Sequence, residues 1–457
     1  MDVKNKKVTV VGMGRTSVAL VGLLLREGAI PSVTDASNSS GLHGFREQFE
    51  ELGVLYECGG HSSKAFQSAA LVIPSPGVSP AIEPIRRAVK AGAECVSEME
   101  FAFAYCRSKI IAVTGTNGKT TTTELIRHMI EACGRTVLIA GNNDSPFSEA
   151  VMADPAPEYI VLEVSSYQLD LVAEFHPWIG ALLNITEDHL ERHGTMEQYA
   201  AAKAKLFEKL RPDEFGIVNA DDALCQKIAA DVSGPMQGFS VSRKLEAGLW
   251  LDGDTIRNGG EDVAKVSDVT LPGRHNLENV LAALSVMSLG NFAWEGVLDG
   301  LRSFEGVEHR LERVACFDGV EYVNDSKSTN LDSLKVALES FEAPIVLIAG
   351  GRGKGGDYGM LYELVEERVS TLIAIGEDAA AIEEAFAGAA RVVGASDMAD
   401  AVAKAGAAAQ AGGVVLLSPG CASFDMYSNF EERGRVFKAV VEGFQGPNTG
   451  ASARMTA

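Results

Sequence analysis

No stretch of this chain approaches the roughly 18 consecutive apolar residues of a membrane-spanning helix, so no membrane insertion is expected. The first residues are charged (Asp2, Lys4, Lys6, Lys7) and run straight into a β-branched segment, without the apolar core of a secretory signal. No two cysteines have C-x-x-C spacing. The seven lie scattered at 58, 95, 106, 133, 225, 316 and 421. An odd, dispersed set in a long chain argues against a disulfide framework or a zinc site, and for a reduced cytoplasmic setting. Basic charge is scarce as well. Lys plus Arg number 40 against 62 Asp plus Glu, a net charge of −22. Such a field repels nucleic acid and anionic membrane, although a local basic pocket can still hold phosphate. No internal repeat of fixed period is present. What remains is a core-forming chain of 457 residues, 46% hydrophobic, long enough for about three domains.

Its organisation is α/β. A β-branched run, Lys7 to Val11, ends in Gly-Met-Gly; a helical pattern follows to Glu27, and a second strand ends at Asp35. Leu71 to Ile73 leads into Pro-Ser-Pro-Gly, and a first boundary falls near Ser97. The second region opens with Ile110 to Val113, then Thr-Gly-Thr-Asn-Gly-Lys-Thr-Thr (114–121), then a helical stretch. Tyr159 to Val164 and Ile179 to Ile185 read as buried strands, and Met196 to Leu210 as a helix. Residues 235 to 270 look like a β-rich insertion, and Asn276 to Leu289 like the last helix before a boundary near Val307. The third region repeats the rhythm with strands at 322–323, 345–348, 372–375 and 414–417. The expected domains are 1–97, 98–306 and 307–445, each with a parallel sheet, followed by a Gly-, Ser-, Thr- and Ala-rich tail, 446–457, expected to be disordered.

Open α/β sheets place ligands at the carboxyl ends of their strands, and polar groups gather there. In the 114–121 loop the N–H groups of Gly115, Thr116, Asn117, Gly118 and Thr121 can face anionic oxygens, Lys119 can reach β- and γ-phosphates, and the Thr120 hydroxyl can ligate Mg²⁺. The loop departs from the standard G-x-x-x-x-G-K-[ST], because Val113 stands where the first glycine belongs. Glu163 is chemically apt as an oxygen ligand beside Thr120, or else caps the next turn. His189 suits a second metal position or is a satisfied loop histidine. Lys203, among alanines on its helix, reads alone as a surface lysine. Asn276 and Asn279 share a helix face and suit a purine edge or a helix cap. Gly12 and Gly14 with Asp35 suit a phosphate-bearing ligand, a dinucleotide included, or a structural turn. Arg310 can neutralise phosphoryl oxygens or lie solvated. Gly350 to Gly356 is an anion loop or a connector, and Ser423 holds a substrate carboxylate or caps a helix.

Taken together, these segments resemble the Mur ligases, ATP-dependent amide-forming enzymes of peptidoglycan precursor synthesis. The resemblance rests on the 114–121 loop, Glu163-Val-Ser-Ser, Asn184-Ile-Thr-Glu-Asp-His189, Tyr199-Ala-Ala-Ala-Lys203, Val218-Asn-Ala-Asp-Asp222, Gly273-Arg-His-Asn276 and Asn324-Asp-Ser-Lys-Ser-Thr-Asn330, in family order over about residues 8 to 440. Gly12-Met-Gly-Arg-Thr, Ser75-Pro-Gly, Leu417-Ser-Pro-Gly-Cys-Ala-Ser-Phe-Asp and Asn429-Phe-Glu-Glu-Arg-Gly434 are most similar to the branch that adds D-glutamate to UDP-N-acetylmuramoyl-L-alanine, and the Asp-Asn-Pro-Arg motif of the diaminopimelate-adding branch is absent.

The resemblance implies Rossmann-like first and third domains around a P-loop ATPase-like centre. It implies ATP and two Mg²⁺ ions as cofactors, with Thr120, Glu163, His189 and Lys203 at the metals, Lys203 as its CO₂-derived carbamate. Lys119 and Arg310 would stabilise phosphoryl transfer. Asn276, Asn279, Arg310 and Asp325 would hold ATP. Lys327, Thr329, Lys354, Ser423, Phe424 and Phe430 would hold D-glutamate. Arg15, Thr16 and Asp35 would meet the uridine end, Ser75 and Gly77 its phosphates, and Asn142 and Ser165 the muramoyl portion. Asn143-Asp144 and the loop after Asp35 depart from that branch. A cytoplasmic monomer is expected. The rivals are another amide ligase of the superfamily, adding L-alanine to the nucleotide sugar or glutamate to folate; a nicotinamide-dependent dehydrogenase; and a non-catalytic nucleotide-binding regulator.

Overall fold

A computed structural model describes residues 1–38, 42–142, 145–271, 273–342, 344–353 and 356–443. The chain forms two compact units, one of Met1–Val269 with His275–Phe304 and the other of the remaining described residues.

The first unit contains two sheets. Strands β1 (Lys7–Val11), β2 (Ile30–Asp35), β3 (Leu55–Cys58), β4 (Leu71–Pro74) and β5 (Glu94–Cys95) lie in the order β3-β2-β1-β4-β5, all parallel. β1 is buried from Val8 to Val11, as a parallel strand covered on both faces must be. Helix Arg15–Arg26 buries Leu20, Val21, Leu23 and Leu24, the apolar face expected from their spacing. The second sheet holds β6 (Lys109–Thr114), β7 (Val137–Gly141), β8 (Tyr159–Glu163), β9 (Ile179–Leu182), β10 (Phe215–Asn219), β11 (Met236–Ser240), β12 (Gly248–Asp252), β13 (Thr255–Asn258) and β14 (Glu261–Lys265). Their order is β14-β13-β12-β11-β10-β9-β6-β8-β7. Pairing of Val113 with Glu163 on β8 and Ala181 on β9 brings three strand ends to one sheet edge.

The second unit carries β15 (Glu312–Phe317), β16 (Val320–Asn324), β17 (Ile345–Gly350), β18 (Val369–Ile375), β19 (Arg391–Gly394) and β20 (Val414–Leu417), ordered β15-β16-β20-β17-β18-β19. Strands β16, β17, β18 and β20 are largely buried, as parallel strands between helical layers must be.

Three α/β sheets are therefore present, with local corrections. The sheets are not purely parallel, since β13 and β14 pair antiparallel at one end of the second sheet and β15 pairs antiparallel at one edge of the third. Residues 235–270 extend the second sheet and are no insertion apart from it. Helix Met196–Ala204 gives way at Lys205–Phe207 to a 3₁₀ turn. A further helix, Trp294–Ser303, follows Leu289. It lies against helix Lys119–Ala132 through Gly300, where an added Cβ would come within 2.8 Å of the Met129 Cα. Among the described residues no helix is long and apolar enough to cross a membrane, and all seven cysteines are free thiols. The tail, 446–457, lies outside the described residues.

Candidate functional site

The turn after β6 is built from two glycines in left-handed conformations. Gly115 has φ 156° and Gly118, which caps helix Lys119–Ala132, has φ 84°. A Cβ on Gly118 would come within 2.1 Å of the Asn279 Oδ1, so only glycine fits against that amide. Asn279 in turn donates through Nδ2 to the Asn276 Oδ1 at 3.2 Å, and both are buried. The two asparagines thus face the loop that the sequence reading placed around nucleotide phosphates.

Two lysines converge on one carbonyl at the mouth of this loop. Lys119 Nζ donates to the carbonyls of Gly115 (3.0 Å) and Thr116 (2.7 Å), and Lys203 Nζ donates to Gly115 at 2.8 Å. Lys203 is 1% exposed, so the surface reading of that residue is wrong. Tertiary packing of helix Met196–Ala204 buries it with Tyr199, whose ring lies 4.6 Å from Nζ. Burial, reinforced by the charge of Lys119, holds the Lys203 pKa well below that of an ordinary lysine.

The acid of the site is Glu163, 4% exposed at the end of β8. Thr120 Oγ1 donates to its Oε2 at 2.7 Å and Asn142 Nδ2 to its Oε1 at 3.0 Å. Thr120, Glu163 and Asn142 therefore form one cluster of oxygen-bearing groups, a donor set suited to a hard cation. His189 lies beyond β9 with φ 55°, its side chain 43% exposed, packed against the Tyr167 ring at 5.0 Å and 3.3 Å from the Asp188 carboxylate. Among the described residues, Glu308, His309 and Glu312 offer ligand atoms that all lie within 4.8 Å of one another. Lys438 Nζ donates to both acids of that trio. Ser165 is occupied in a capping box with Gln168 at the start of helix Ser166–Leu169.

At the first sheet, Asp35 accepts the N–H groups of Met13 through Oδ2 and Ser37 through Oδ1, each at 2.7 Å. Ser17 Oγ donates to the Gly12 carbonyl at 2.6 Å and lies 3.0 Å from the Ser75 Oγ. Arg15 and Gly77 are exposed, while Thr16 and Ser75 are half-buried.

In the second unit, Asp325 is buried at the end of β16. It accepts the Ser418 hydroxyl at 2.8 Å and the Leu311 N–H at 3.3 Å. Burial pushes its pKa up to about 7, against the lowering influence of Ser418, Leu311 and the nearby Arg310. Lys327 Nζ sits 4.0 Å over the Phe430 ring, Ser423 is buried, Thr329 is half-buried and Phe424 is 64% exposed. Lys354 lies outside the described residues, as do Asn143 and Asp144.

Three family models match the chain: the Mur ligase MurD-like N-terminal domain over residues 6–97, the Mur ligase middle domain over 113–287, and the Mur ligase glutamate ligase domain over 309–421. A UDP-N-acetylmuramoylalanine–D-glutamate ligase of Pelotomaculum thermopropionicum is 43% identical over 446 residues, covering 96% of this chain and 98% of that protein. The same-named protein of Koribacter versatilis is 40% identical over 445 residues, with 96% and 98% covered. This chain belongs to the Mur ligase family. Its fold also matches a solved family structure, the MurF ligase of Thermotoga maritima in complex with ADP, at a TM-score of 0.59 and 17% identity over 90% of this chain and 95% of that one.

In this Mur ligase, further groups hold the loops of each unit in place. Asn184 grips the phosphate loop through its side chain. Tyr199 OH lies 3.2 Å from the Thr116 Oγ1. Arg433, 2% exposed, donates to the Ser326 hydroxyl and to the carbonyls of Ser326 and Cys421 at 2.8–3.0 Å. Asn184 and Tyr199 stood inside recognised motifs, so a signal existed. For Arg433 only its place in Glu-Glu-Arg-Gly434 offered one.

Proposed function

We propose that this Mur ligase joins D-glutamate to UDP-N-acetylmuramoyl-L-alanine at the expense of ATP. The observation that carries the reading is the near end-to-end identity of 43% with a ligase of that name, in a chain whose phosphate loop presents Lys119 beside Thr120 and the buried Glu163. A free carboxylate is a poor electrophile. Its oxygen attacks the γ-phosphorus of ATP, ADP leaves, and an acyl phosphate results. The amine of D-glutamate then attacks that acyl carbon, and the tetrahedral intermediate expels phosphate and loses a proton. The protein contributes position and charge. Lys119 and Arg310 neutralise phosphoryl oxygens, Asn276, Asn279 and Asp325 hold the nucleotide, and the N–H groups of the first turn of helix Lys119–Ala132 face its phosphates.

The oxygen-rich cluster of Thr120 and Glu163 fits Mg²⁺, and His189 and Lys203 are assigned with them. Bound there, two ions would supply charge neutralisation for the phosphoryl group. The depressed pKa of Lys203 supports carbamate formation. A neutral amine attacks CO₂, an N–C bond forms, a proton is lost, and an ammonium becomes a carboxylate beside the metals. Lys327, Thr329, Lys354, Ser423, Phe424 and Phe430 are assigned to D-glutamate. Arg15, Thr16 and Asp35 are assigned to the uridine end, Ser75 and Gly77 to its phosphates, and Asn142 and Ser165 to the muramoyl portion. Domains 1–97, 98–306 and 307–445 would divide nucleotide-sugar, ATP and amino-acid binding among them, in a cytoplasmic monomer.

The test is ADP release by the purified protein with Mg²⁺, ATP and UDP-N-acetylmuramoyl-L-alanine, across a panel of amino acids. Release that depends on D-glutamate supports the reading. Release with L-alanine on the unsubstituted nucleotide sugar, or with glutamate on a folate, would move the chain to another branch. No ADP above background with any pair would overturn it.

A further inference from the structure

The loop that carries Lys119 lacks the first glycine of the standard motif. Val113 is still strand, paired with Ala181 of β9 and Glu163 of β8. The turn must therefore close within residues 115 to 118, and short loops leave N–H groups to satisfy. Asn184, two residues beyond the end of β9, satisfies them. Its Oδ1 accepts the Asn117 N–H at 2.8 Å and the Thr116 N–H at 3.1 Å, the latter shared with its own carbonyl at 3.0 Å. Its Nδ2 donates back to the Asn117 carbonyl at 3.1 Å. One side chain so makes three hydrogen bonds to two consecutive residues. Two residues on, the Thr186 N–H donates to the Thr116 Oγ1 at 3.0 Å.

We propose that Asn184 is the positioning residue of the nucleotide site, a clamp that does for this loop what the missing glycine does elsewhere. The proposal rests on the reading of the loop as an ATP site and adds a division of labour within it. The clamp commits the Thr116 and Asn117 N–H groups to protein. Anion recognition is left to the first turn of helix Lys119–Ala132, where helix N–H groups lack intrahelical acceptors, and to the Lys119 ammonium. The same clamp fixes the loop to segment 184–186, which leads to His189, and through Thr116 and Tyr199 to the helix of Lys203. Asn suits the task because its amide offers acceptor and donor together in one plane. Asp keeps the acceptor and loses the donor; Ala loses both.

Amide hydrogen exchange over residues 115–118 and the affinity of the full-length protein for a non-hydrolysable ATP analogue with Mg²⁺ test it. In Asn184→Ala, exchange at Thr116 and Asn117 should speed up while the core of helix Lys119–Ala132 keeps its protection. Affinity for the analogue should fall at least tenfold, with affinity for the nucleotide sugar within twofold of wild type. Asn184→Asp should keep most of the exchange protection. Unchanged exchange in Asn184→Ala, analogue affinity within twofold, or an equal loss for analogue and nucleotide sugar would each overturn the clamp. A wild-type protein that binds the analogue yet releases no ADP with both substrates would count against the ligase reading alone, because the clamp is read from binding and exchange.

Discussion

Two strand-to-helix turns in the first unit use glycine alike and end in opposite electrostatics. After β1, Gly12 takes φ 101°; after β6, Gly118 takes φ 84°. At the first turn the Met13 N–H is held by the Asp35 carboxylate, and a Cβ on Gly12 would lie 2.8 Å from the Ser75 Oγ. At the second, the side-chain nitrogens of Lys119 and Lys203 share the Gly115 carbonyl. A phosphate brought to the first turn meets a carboxylate, and at the second it meets the Lys119 ammonium. Two unit charges about 4 Å apart near a protein surface interact by about 4 kcal/mol, so the sign decides. Glycine spacing identifies a turn, and the side chain delivered by the neighbouring strand identifies its ligand. The occupied Met13 N–H also counts against a nicotinamide dinucleotide, whose pyrophosphate needs such loop N–H groups.

The sharpest way to probe the second turn is through Lys203. Lys203→Ala should lower ADP release by roughly a thousandfold, the scale of losing one preorganised electrostatic group in a closed site. Short carboxylates such as acetate should restore part of the rate. Full activity without them would sink the carbamate. Gly118→Ala comes next. It places a side chain at positive φ and 2.1 Å from the Asn279 Oδ1, a strain of about 1–3 kcal/mol. The KM for ATP should rise about tenfold or more by that cost, and an unchanged KM would remove Asn279 from the nucleotide site.

These contrasts also mark what the residue order revealed. The three α/β sheets were legible because buried parallel strands are continuous apolar runs with glycine at their ends, as in Ile110 to Val113 and Val414 to Leu417. The antiparallel pairings of β13, β14 and β15 were not, since pairing direction leaves no mark in so short a run. The phosphate loop and Glu163 could be placed because each follows such a strand. Lys203 could not be placed from local pattern, because alanines around a lysine give no face to bury; only the resemblance pointed to it. Asn184 was visible inside its motif but had no role until β6 and β9 were seen side by side.

The second unit extends the comparison to a third strand end, where the acid is neither a loop clasp like Asp35 nor beside a lysine. Asp325 is buried, and its carboxyl holds its proton up to about pH 7, whereas in the unfolded chain it ionises near 3.8. A folded-state pKa raised in this way contributes stability below the unfolded value, and that contribution is lost as pH rises through the folded value. Melting of the wild-type protein should therefore move to lower temperature between pH 5 and pH 8. Asp325→Asn, which cannot ionise, should show a shallower slope over the same window. Equal slopes would mean that Arg310 keeps Asp325 ionised throughout.

The smallest expected effect belongs to the second glycine of the first turn. Gly14 has φ −166°, extended backbone open to any residue, and nothing lies within 4 Å of where its Cβ would be. Gly14→Ala should raise the melting temperature slightly, by the roughly 0.4–1 kcal/mol that a compatible Gly→Ala change contributes through the unfolded chain. Gly12→Ala, at φ 101° and in contact with Ser75, should lower it. The informative measurement is the affinity of Gly14→Ala for the nucleotide sugar. If it is unchanged, glycine at 14 is a matter of turn geometry and Asp35 closes the loop against phosphate. If it falls, a ligand must approach the backbone at Gly14 closely enough to meet a methyl group, and the first turn binds its substrate despite the carboxylate beneath it.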